Sequence, residues 1–500
     1  MLLRISASAG AIVAALAIAA PASADLTAAE VWASWKALAE RSGQTISGSE
    51  TKSGDTLTVR DVTIAMEAPS GSASGAMGDI AFTENRDGSV SIRLAPEYPL
   101  VVSTTSEAGE RVEMKMTLRQ RDLSMTARGN AGAIAYDFAA PEASFALDQM
   151  LVDGEPMDMA MEMSARGISG GYTMAEGATG RIDGTLNATT ARLDMNATNP
   201  EDGSRFKLGG EMTDMVVSSS STVPAGMQTT DLGAMLAAGF ASTGKIAHGG
   251  TAYAMDMTQA GESTNVAATL GPGTLDFALA DGGMLYDVRS TRGQIGISGS
   301  ALPLPRIDLA LDDSAFSFRM PMVRSAAPSD FGLLTRIAGL TISDGIWAMF
   351  DPSGQLPRDP ATLVIDLSGK VRLLSDLTNP AVAQSSEAPA ELHELNVKGL
   401  KLSLAGAELT GNGAFVFDNS DKVTFDGMPR PTGRIGLRLD GGNTLLDRLV
   451  AMGLVPADQA MGMRMMLGMF ARPTGEGDTL SSQIEVTPDG RVVANGQRLR

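Results

Sequence analysis

Alternating apolar and polar residues dominate the sequence, most clearly between about residues 57 and 217. Val112, Met114 and Met116 illustrate the pattern, and a period of two is typical of a strand with one buried face. Clusters of Gly, Asp, Asn and Ser separate these segments and favour turns. The alternation therefore predicts a mainly β (β-rich α+β) fold. We expect long, twisted antiparallel sheets with a few amphipathic helices, and an apolar face that is either filled internally or open as a groove.

Helical spacing of apolar residues interrupts the alternation at a few places. The first helix is predicted between a capping box at residues 27–30 and Gly43, with Trp32 and Trp35 docking it onto a sheet. Further helices are predicted at four places: from Asp231, around 330–338, from Asn443 and from Pro456.

Residues 1–24 differ from the rest of the chain in composition. Arg4 precedes an apolar run at 9–20, and small residues come before Asp25. This order is typical of a signal peptide, so we expect cleavage after Ala24 and a periplasmic location. The run is too short for a stable membrane span, and no later apolar run reaches about 18 residues. No transmembrane segment is therefore expected after cleavage.

Two halves, 25–224 and 225–500, are expected to follow the signal, each combining a helix with β-rich sequence. The Ser-rich segment 218–230 is the predicted linker. Residues 378–391 are predicted to form a mobile loop in the second half. A similar pattern of residues recurs at two places, 123–138 and 275–288. This echo is what two related halves would produce.

The charge of the chain limits its partners. The formal net charge is −19, and it becomes −20 when Arg4 is removed with the signal. An acidic excess spread along the chain argues against binding nucleic acid, or docking on an anionic membrane by charge alone. The sequence contains no Cys, so its stability has to come from burial rather than disulfides.

A proline-rich corner at 343–370 combines a helical turn with a strand. Asp344 is predicted to cap the turn, and Trp347 to anchor it in the core. Prolines then stiffen the chain until alternation indicates a strand. Arg358 and Asp359 either form an ion pair or both face water.

The pattern W-x-x-F-D-P-x-x-x-L-P-R-D-P-A-T-L at 347–363 resembles the signature of an exported bacterial family, domain of unknown function 2125 (DUF2125). The runs at 54–61 and 429–499 share the resemblance. The family implies no activity, and its signature residues are interpreted as structural: Trp347, Phe350, Asp351, Pro352, Leu356, Pro357, Arg358, Asp359 and Pro360. The tail also bears a weaker likeness to AsmA-like envelope proteins, at the level of the fold.

Three catalytic patterns occur in unsuitable surroundings. Residues 239–245 resemble a phosphate-binding loop, but Ile246 stands where a Mg²⁺-binding Ser or Thr belongs. Residues 167–171 fit G-x-S-x-G in strand-like sequence, and 204–207 fit S-x-x-K without its partner motifs. Two His and no Cys disfavour a zinc site. No catalytic residue, cofactor or metal ion is therefore predicted.

Methionines recur on one predicted strand, at Met157, Met159, Met161 and Met163. Their side chains project from one face, where they would pack in a core, line an apolar ligand groove, or bind Cu(I) through their thioethers. The sequence leaves these three interpretations open.

The leading functional hypothesis is non-enzymatic: an envelope protein whose curled sheet binds a lipid or another amphiphile. The alternative is a periplasmic scaffold with filled apolar faces and an envelope protein partner. An envelope hydrolase using carboxylates, such as Asp312 and Asp313, is a third. An open apolar channel favours the first, a sealed core the second, and two carboxylates facing each other across a polar cleft the third.

Overall fold

The computed structural model describes residues 25–500, apart from 42, 69–70, 106–108, 176–178, 201, 225–231, 380, 383–384, 386–387 and 476. The helices are α1 (Ala28–Arg41), α2 (Leu232–Ala237), α3 (Asp344–Phe350), α4 (Gly442–Ala451) and α5 (Ala457–Phe470). The strands are β1 (Gln44–Ser53), β2 (Thr56–Ala68), β3 (Gly71–Glu84), β4 (Val90–Arg93), β5 (Glu97–Thr105), β6 (Arg111–Arg121), β7 (Ser124–Asn130), β8 (Ala133–Val152), β9 (Glu155–Ala175), β10 (Thr179–Thr198), β11 (Arg205–Pro224), β12 (Ala241–His248), β13 (Gly250–Gln259), β14 (Glu262–Leu270), β15 (Gly273–Ala280), β16 (Gly283–Gly299), β17 (Arg306–Pro321), β18 (Ser329–Ile342), β19 (Ala361–Leu373), β20 (Ala390–Leu404), β21 (Ala407–Asp418), β22 (Arg430–Asp440), β23 (Arg472–Pro473), β24 (Thr479–Val486), β25 (Val492–Ala494) and β26 (Gln497–Arg498). With 66% strand and 12% helix, the prediction of a mainly β fold is confirmed.

All of these strands join one antiparallel sheet, in which most strands pair with their neighbours in the sequence. At four places a pair of short strands lies end to end along one long strand. β4 and β5 both pair with β3, and β6 and β7 both pair with β8. In the same way β12 and β13 pair with β11, and β14 and β15 pair with β16. The arrangement of β3–β8 is therefore repeated in β11–β16.

The repeated arrangement agrees with the echo in the sequence. Residues 123–138 lie in the β7–β8 hairpin, and 275–288 lie in the equivalent β15–β16 hairpin. Sheet pairing nevertheless continues across position 224, since β11 pairs with β12. The division into two halves, 25–224 and 225–500, stays a prediction.

The long strands bend at residues with left-handed backbone. Asp214 in β11 and Arg292 in β16 have φ values of 51° and 50°. Asp tolerates this conformation better than most residues do. Opposite Asp214, a Cβ on Gly249 would lie 2.7 Å from the Asp214 carboxylate and 3.2 Å from its Cβ, so a side chain at 249 would displace that of Asp214. Such irregular positions bend a strand and increase its twist.

Helix α1 closes the apolar face of the N-terminal strands, as predicted. The capping box is present, because the backbone N–H of Thr27 donates to Glu30 at 2.8 Å and the N–H of Glu30 donates to Thr27 Oγ1 at 3.3 Å. Trp32 and Trp35 lie 6.0 and 5.4 Å from the ring of Phe82. The buried cluster around them consists of Leu26, Ala28, Val31, Trp32, Leu57, Val59, Val62, Ile80, Phe82, Val90, Ile92, Ala127, Ile134, Tyr136 and Met174.

Two segments differ from their predicted structure for the same reason. The predicted helix around 330–338 lies within β18, which pairs with β17 on one side and β19 on the other. The first part of the predicted linker, 218–224, is the end of β11, where Ser221 hydrogen bonds to Ser242 of β12. Pairing on both sides outweighs local preference. Residues 225–230 lie outside the described residues.

Two further local predictions need correction. Asn443 does not cap α4; the carboxylate of Asp478 accepts from its amide at 2.9 Å and from the backbone N–H of Thr444 at 2.6 Å. The predicted loop at 378–391 is partly outside the described residues, and its last two residues already belong to β20. The prediction that Pro456 begins a helix is confirmed, since it is the N-cap of α5.

Candidate functional site

One row of paired residues crosses the sheet on its apolar face. Directly paired residues of antiparallel strands project to the same face. The row runs through Tyr136, Tyr172, Gly184, Ser219, Gly244, Phe277, Tyr286, Phe318, Leu333 and Leu367. It continues through Val397, Gly413, Ile435, Ile484 and Ala494. One face of the sheet is thus apolar from the N-terminal core to the C-terminal strands.

Burial along this row changes sharply. Tyr136 is 1% exposed beneath α1, and its ring stacks on that of Tyr172 at 4.5 Å. Further along, Phe277 and Tyr286 are 37% and 40% exposed. Among the described Leu, Ile, Val, Met and aromatic residues from 189 to 346, Leu236 alone is buried. No described element covers the middle of the apolar face as α1 covers its beginning.

A parallel row on the same face extends this surface. It consists of Val217, Ile246, Leu275, Val288 and Phe316. Phe316 is 42% exposed and lies 6.4 Å from the ring of Tyr286. In the first row, Gly184 and Ser219 lie between the stacked tyrosines and Phe277, so this part of the row has only small side chains. The second row and the part of the first row from Gly184 to Phe318 form a half-exposed apolar band, which we call the open face.

The opposite face carries charged pairs. Asp276 and Asp287 lie directly opposite each other, but Lys245 contacts Asp276 at 3.1 Å and Arg289 contacts Asp287 at 2.8 Å. The hydrogen bond from Arg289 holds the pKa of Asp287 below its ordinary value. A general acid needs a raised pKa, so this carboxylate is set up for an ion pair instead.

The signature residues of the sequence meet in one corner beside this sheet. The buried carboxylate of Asp351 accepts hydrogen bonds from the backbone N–H groups of Gln355 and Leu356, both at 2.8 Å. Removal from water raises the pKa of Asp351, but these two bonds outweigh it and the net pKa is lowered. Asp351 therefore ends α3 and folds the chain back under it. Trp347 and Leu356 are buried together with Ala405.

Arg358 does not pair with its neighbour Asp359. Its guanidinium binds the carboxylate of Asp344 and lies 5.7 Å from the ring of Trp347. Asp344 was predicted as the cap of α3, but the N-cap is Ser343 and Asp344 is the first helical residue. Contact with the Trp347 ring gives Arg358 a cation–π partner in addition to the carboxylate.

A cavity of about 480 Å³ lies under this corner. Its walls are mostly apolar, and Arg358, Asp344 and Asp359 supply the charged groups. The apolar lining includes Leu340, Ile342, Trp347, Phe350, Leu356, Leu404, Ala405, Leu445, Leu449 and Leu454. Of the other signature residues, Pro357 lies against Gly406, Pro352 is exposed beyond α3, and Pro360 precedes β19.

The methionines of β9 lie beside apolar partners. Met157 pairs with Met150, Met161 with Leu147 and Met195, and Met163 with Phe145 and Leu193. Met163 is half-exposed, so these side chains are not sealed in a core. The groove and Cu(I) interpretations stay predictions.

The catalytic patterns do not form the required local structures. Residues 167–171 lie within β9, and 204–207 lead into β11. Lys245 lies in β12 and is bound to Asp276, so 239–245 is no phosphate-binding loop. Asp312 and Asp313 do not form a carboxylate pair, since Asp313 is bound to Arg336 at 3.0 Å.

This arrangement defines an antiparallel β protein with one apolar face that is partly open. The sequence model of a family described as an uncharacterized protein conserved in bacteria (DUF2125) matches residues 265–499. Over this part of the chain the prediction from the signature is confirmed, because 347–363 and 429–499 lie within the match, whereas the run at 54–61 lies outside it. No curated protein matches the chain. The likeness to AsmA-like proteins stays a prediction.

Sequence reasoning did not single out the aromatic residues of the open face. Phe277, Tyr286 and Phe316 each fit an ordinary strand pattern, which says nothing about what covers them. The available signal was their position at corresponding places on consecutive predicted strands. The register between those strands depends on the length and type of the turns that connect them. The sequence pattern does not define these turns closely enough to fix the register.

Proposed function

We propose that this protein binds a lipid or another amphiphile on its open face, without catalysis, in the bacterial periplasm. One observation carries the proposal: a continuous row of paired residues emerges from a closed core at Tyr136 and is half-exposed at Phe277 and Tyr286, beside the half-exposed Phe316 of the second row. A contiguous exposed apolar surface on a folded protein marks a binding site. An extended hydrocarbon chain matches a long, narrow apolar band better than a compact ligand does.

The distribution of charge supports an uncharged hydrocarbon partner for this face. Acidic and basic side chains of the central strands pair with each other on the opposite face, as Lys245 does with Asp276 and Arg289 with Asp287. The open face itself contributes aliphatic and aromatic groups, with Ser219 and glycines between them. Burial of apolar area is thus the available source of affinity. The periplasmic location rests on the predicted signal peptide.

The test is native mass spectrometry, with solvent extraction, of the protein purified from the envelope of the cell that makes it. A bound species of lipid mass is expected. An apo-protein mass, with no later uptake of a fluorescent fatty acid, would contradict the proposal and leave the scaffold as the better explanation.

Matched variants locate the binding. Phe277→Asp places a charge on the open face and should lower uptake of the fluorescent fatty acid about tenfold, because a buried aromatic side chain contributes at least that much. Thr243→Asp adds the same charge next to Gly244 but on the opposite face, where the residue is exposed. Uptake by this control should remain unchanged. Equal losses in both variants would place the binding elsewhere.

A further inference from the structure

Helix α5 exposes apolar side chains around most of its circumference. Met461, Met465 and Met466 are 67%, 68% and 59% exposed. Met463, Met469 and Phe470 are exposed as well. At about 100° per residue, these six side chains spread over roughly 200° of the helix surface. A helix that packs on a protein usually has an apolar stripe about half as wide.

The remaining side of α5 is attached to α4. Ala460 is the buried residue of the helix, and Arg464 binds Asp447 of α4. α5 is thus held along one edge, and its apolar arc points away from the protein. A flat protein surface would cover only part of the roughly 200° over which these six side chains spread. The hydrocarbon chains of a lipid layer can surround all six.

The charge of α4 and α5, which together form a helical hairpin at residues 442–470, indicates which kind of lipid surface it can bind. Residues 442–470 contain two acidic and two basic side chains, Asp447, Asp458, Arg448 and Arg464, so the hairpin is neutral in a strongly acidic chain. An anionic membrane would repel the rest of the protein. A neutral bilayer would not, and insertion of apolar side chains then provides the attraction.

The length of α5 limits how deep it reaches. Its 14 residues span about 21 Å, less than the roughly 30 Å hydrocarbon core of a bilayer. In the part of the chain that the structure describes, no helix is long and apolar enough to cross a membrane. Leu454, in the connection between α4 and α5, is half-exposed and also lines the cavity beside Trp347. Hydrocarbon around the hairpin would therefore adjoin the cavity wall.

We propose that α5 inserts its methionine-rich arc into one leaflet of a neutral bilayer and docks the protein there. Unbranched methionine side chains adapt to an irregular hydrocarbon surface. This docking goes beyond the proposed ligand binding on the open face and does not depend on it, since vesicle binding is measured without any ligand.

The experiment is flotation of residues 25–500 with phosphatidylcholine vesicles. The double variant Met465→Glu and Met466→Glu should lower vesicle binding about tenfold or more, because two charges then have to enter hydrocarbon. Val423→Glu with Met428→Glu adds the same two charges at exposed apolar residues between β21 and β22, and should bind like the unchanged chain. Equal binding by all three proteins would overturn the proposal.

The depth to which α5 enters the bilayer is measured with a fluorophore attached to a single introduced cysteine. Single-site labelling is possible because the sequence has no Cys. An environment-sensitive label at Met466→Cys should shift to the blue on vesicles and be quenched by lipid-attached nitroxide. The same label at Val423→Cys should not change. Binding that requires anionic lipid and disappears in salt would overturn the proposal. So would a lipid-free dimer that the double variant dissociates, because a second copy would then cover α5.

Discussion

The N-terminal strands and the middle strands share one arrangement but differ in what covers them. In β3–β8, helix α1 lies over the apolar face, and Trp32, Phe82 and Tyr136 are buried. In β11–β16 and the adjoining β17, Phe277, Tyr286 and Phe316 on the same face remain half-exposed, although β11–β16 pair in the same order as β3–β8. The short helix α2 contributes one buried residue, Leu236. The presence of a docked helix, rather than the sheet itself, decides whether the face becomes a core or a surface for binding.

The closed and the open parts of the apolar face are expected to serve different purposes, the first stability and the second ligand binding. A closed face stabilises the fold by removing apolar area from water, while an open face keeps that area available for a ligand. Substitutions in the two regions should therefore affect different measurements. Those under α1 should change the free energy of unfolding, and those on the open face should change ligand uptake.

The largest effect is expected for Trp32→Ala. This side chain is fully buried against Phe82, and its indole N–H donates to Glu50 at 2.7 Å. Truncation should lower the free energy of unfolding by about 3–5 kcal/mol. Phe316→Ala is the matched control on the open face and should cost less than about 1 kcal/mol. Urea denaturation measures both, and equal costs would show that the open face is covered in solution.

A smaller contrast is expected between two glycines. A Cβ on Gly170 would lie 2.3 Å from the backbone oxygen of Thr185, which cannot move alone, so Gly170→Ala should cost about 1–3 kcal/mol. A Cβ on Gly244 would meet the ring of Phe277 at 2.2 Å. That ring has room to turn outward, so Gly244→Ala should cost under about 1 kcal/mol. Thermal denaturation distinguishes the two, and a larger cost at Gly244 would mean that Phe277 is held in place.

The smallest expected effect is a pH dependence of the contacts that hold α1 on the sheet. Hydrogen bonds from Lys36 and Trp32 lower the pKa of Glu50 below its ordinary 4.5, and the backbone N–H of Ala28 does the same for Glu84. Because both pKa values are lowered in the folded state, their contribution is present above pH 4.5 and is lost as pH falls through the folded values. Tryptophan fluorescence should shift to the red below pH 4.5.

The control for this dependence replaces both carboxylates. Glu50→Gln with Glu84→Gln should remove most of the fluorescence change that begins below pH 4.5, while acid unfolding of the remaining sheet persists at lower pH. A fluorescence change of the same size in this variant would assign the dependence to other groups.

Local signals in the sequence predicted the features that depend on neighbouring residues. Three examples are the capping box at 27–30, the start of α5 at Pro456, and the alternation along β16 and β17. Each depends on residues that are close in the chain. The segment 330–338 was wrongly predicted to be helical because its apolar spacing fits either structure. Only pairing with β17 and β19 selects the strand.

The candidate site was harder to predict than the fold. Arg358 finds Asp344, fourteen residues away, and Asp478 caps a helix more than thirty residues earlier in the chain. The open face depends on which strands lie beside each other and on the shortness of α2. These are non-local properties, and a single sequence read by pattern contains no direct signal for them.

Site-specific photocrosslinking in the producing cell tests the central claim most directly. A benzophenone amino acid replaces Phe277 on the open face or Thr243 on the opposite face, and the adducts are identified by mass spectrometry. We expect a lipid-sized adduct at position 277 and none at position 243. A protein adduct at 277, or the same adducts at both positions, would contradict an apolar face that is open to lipid.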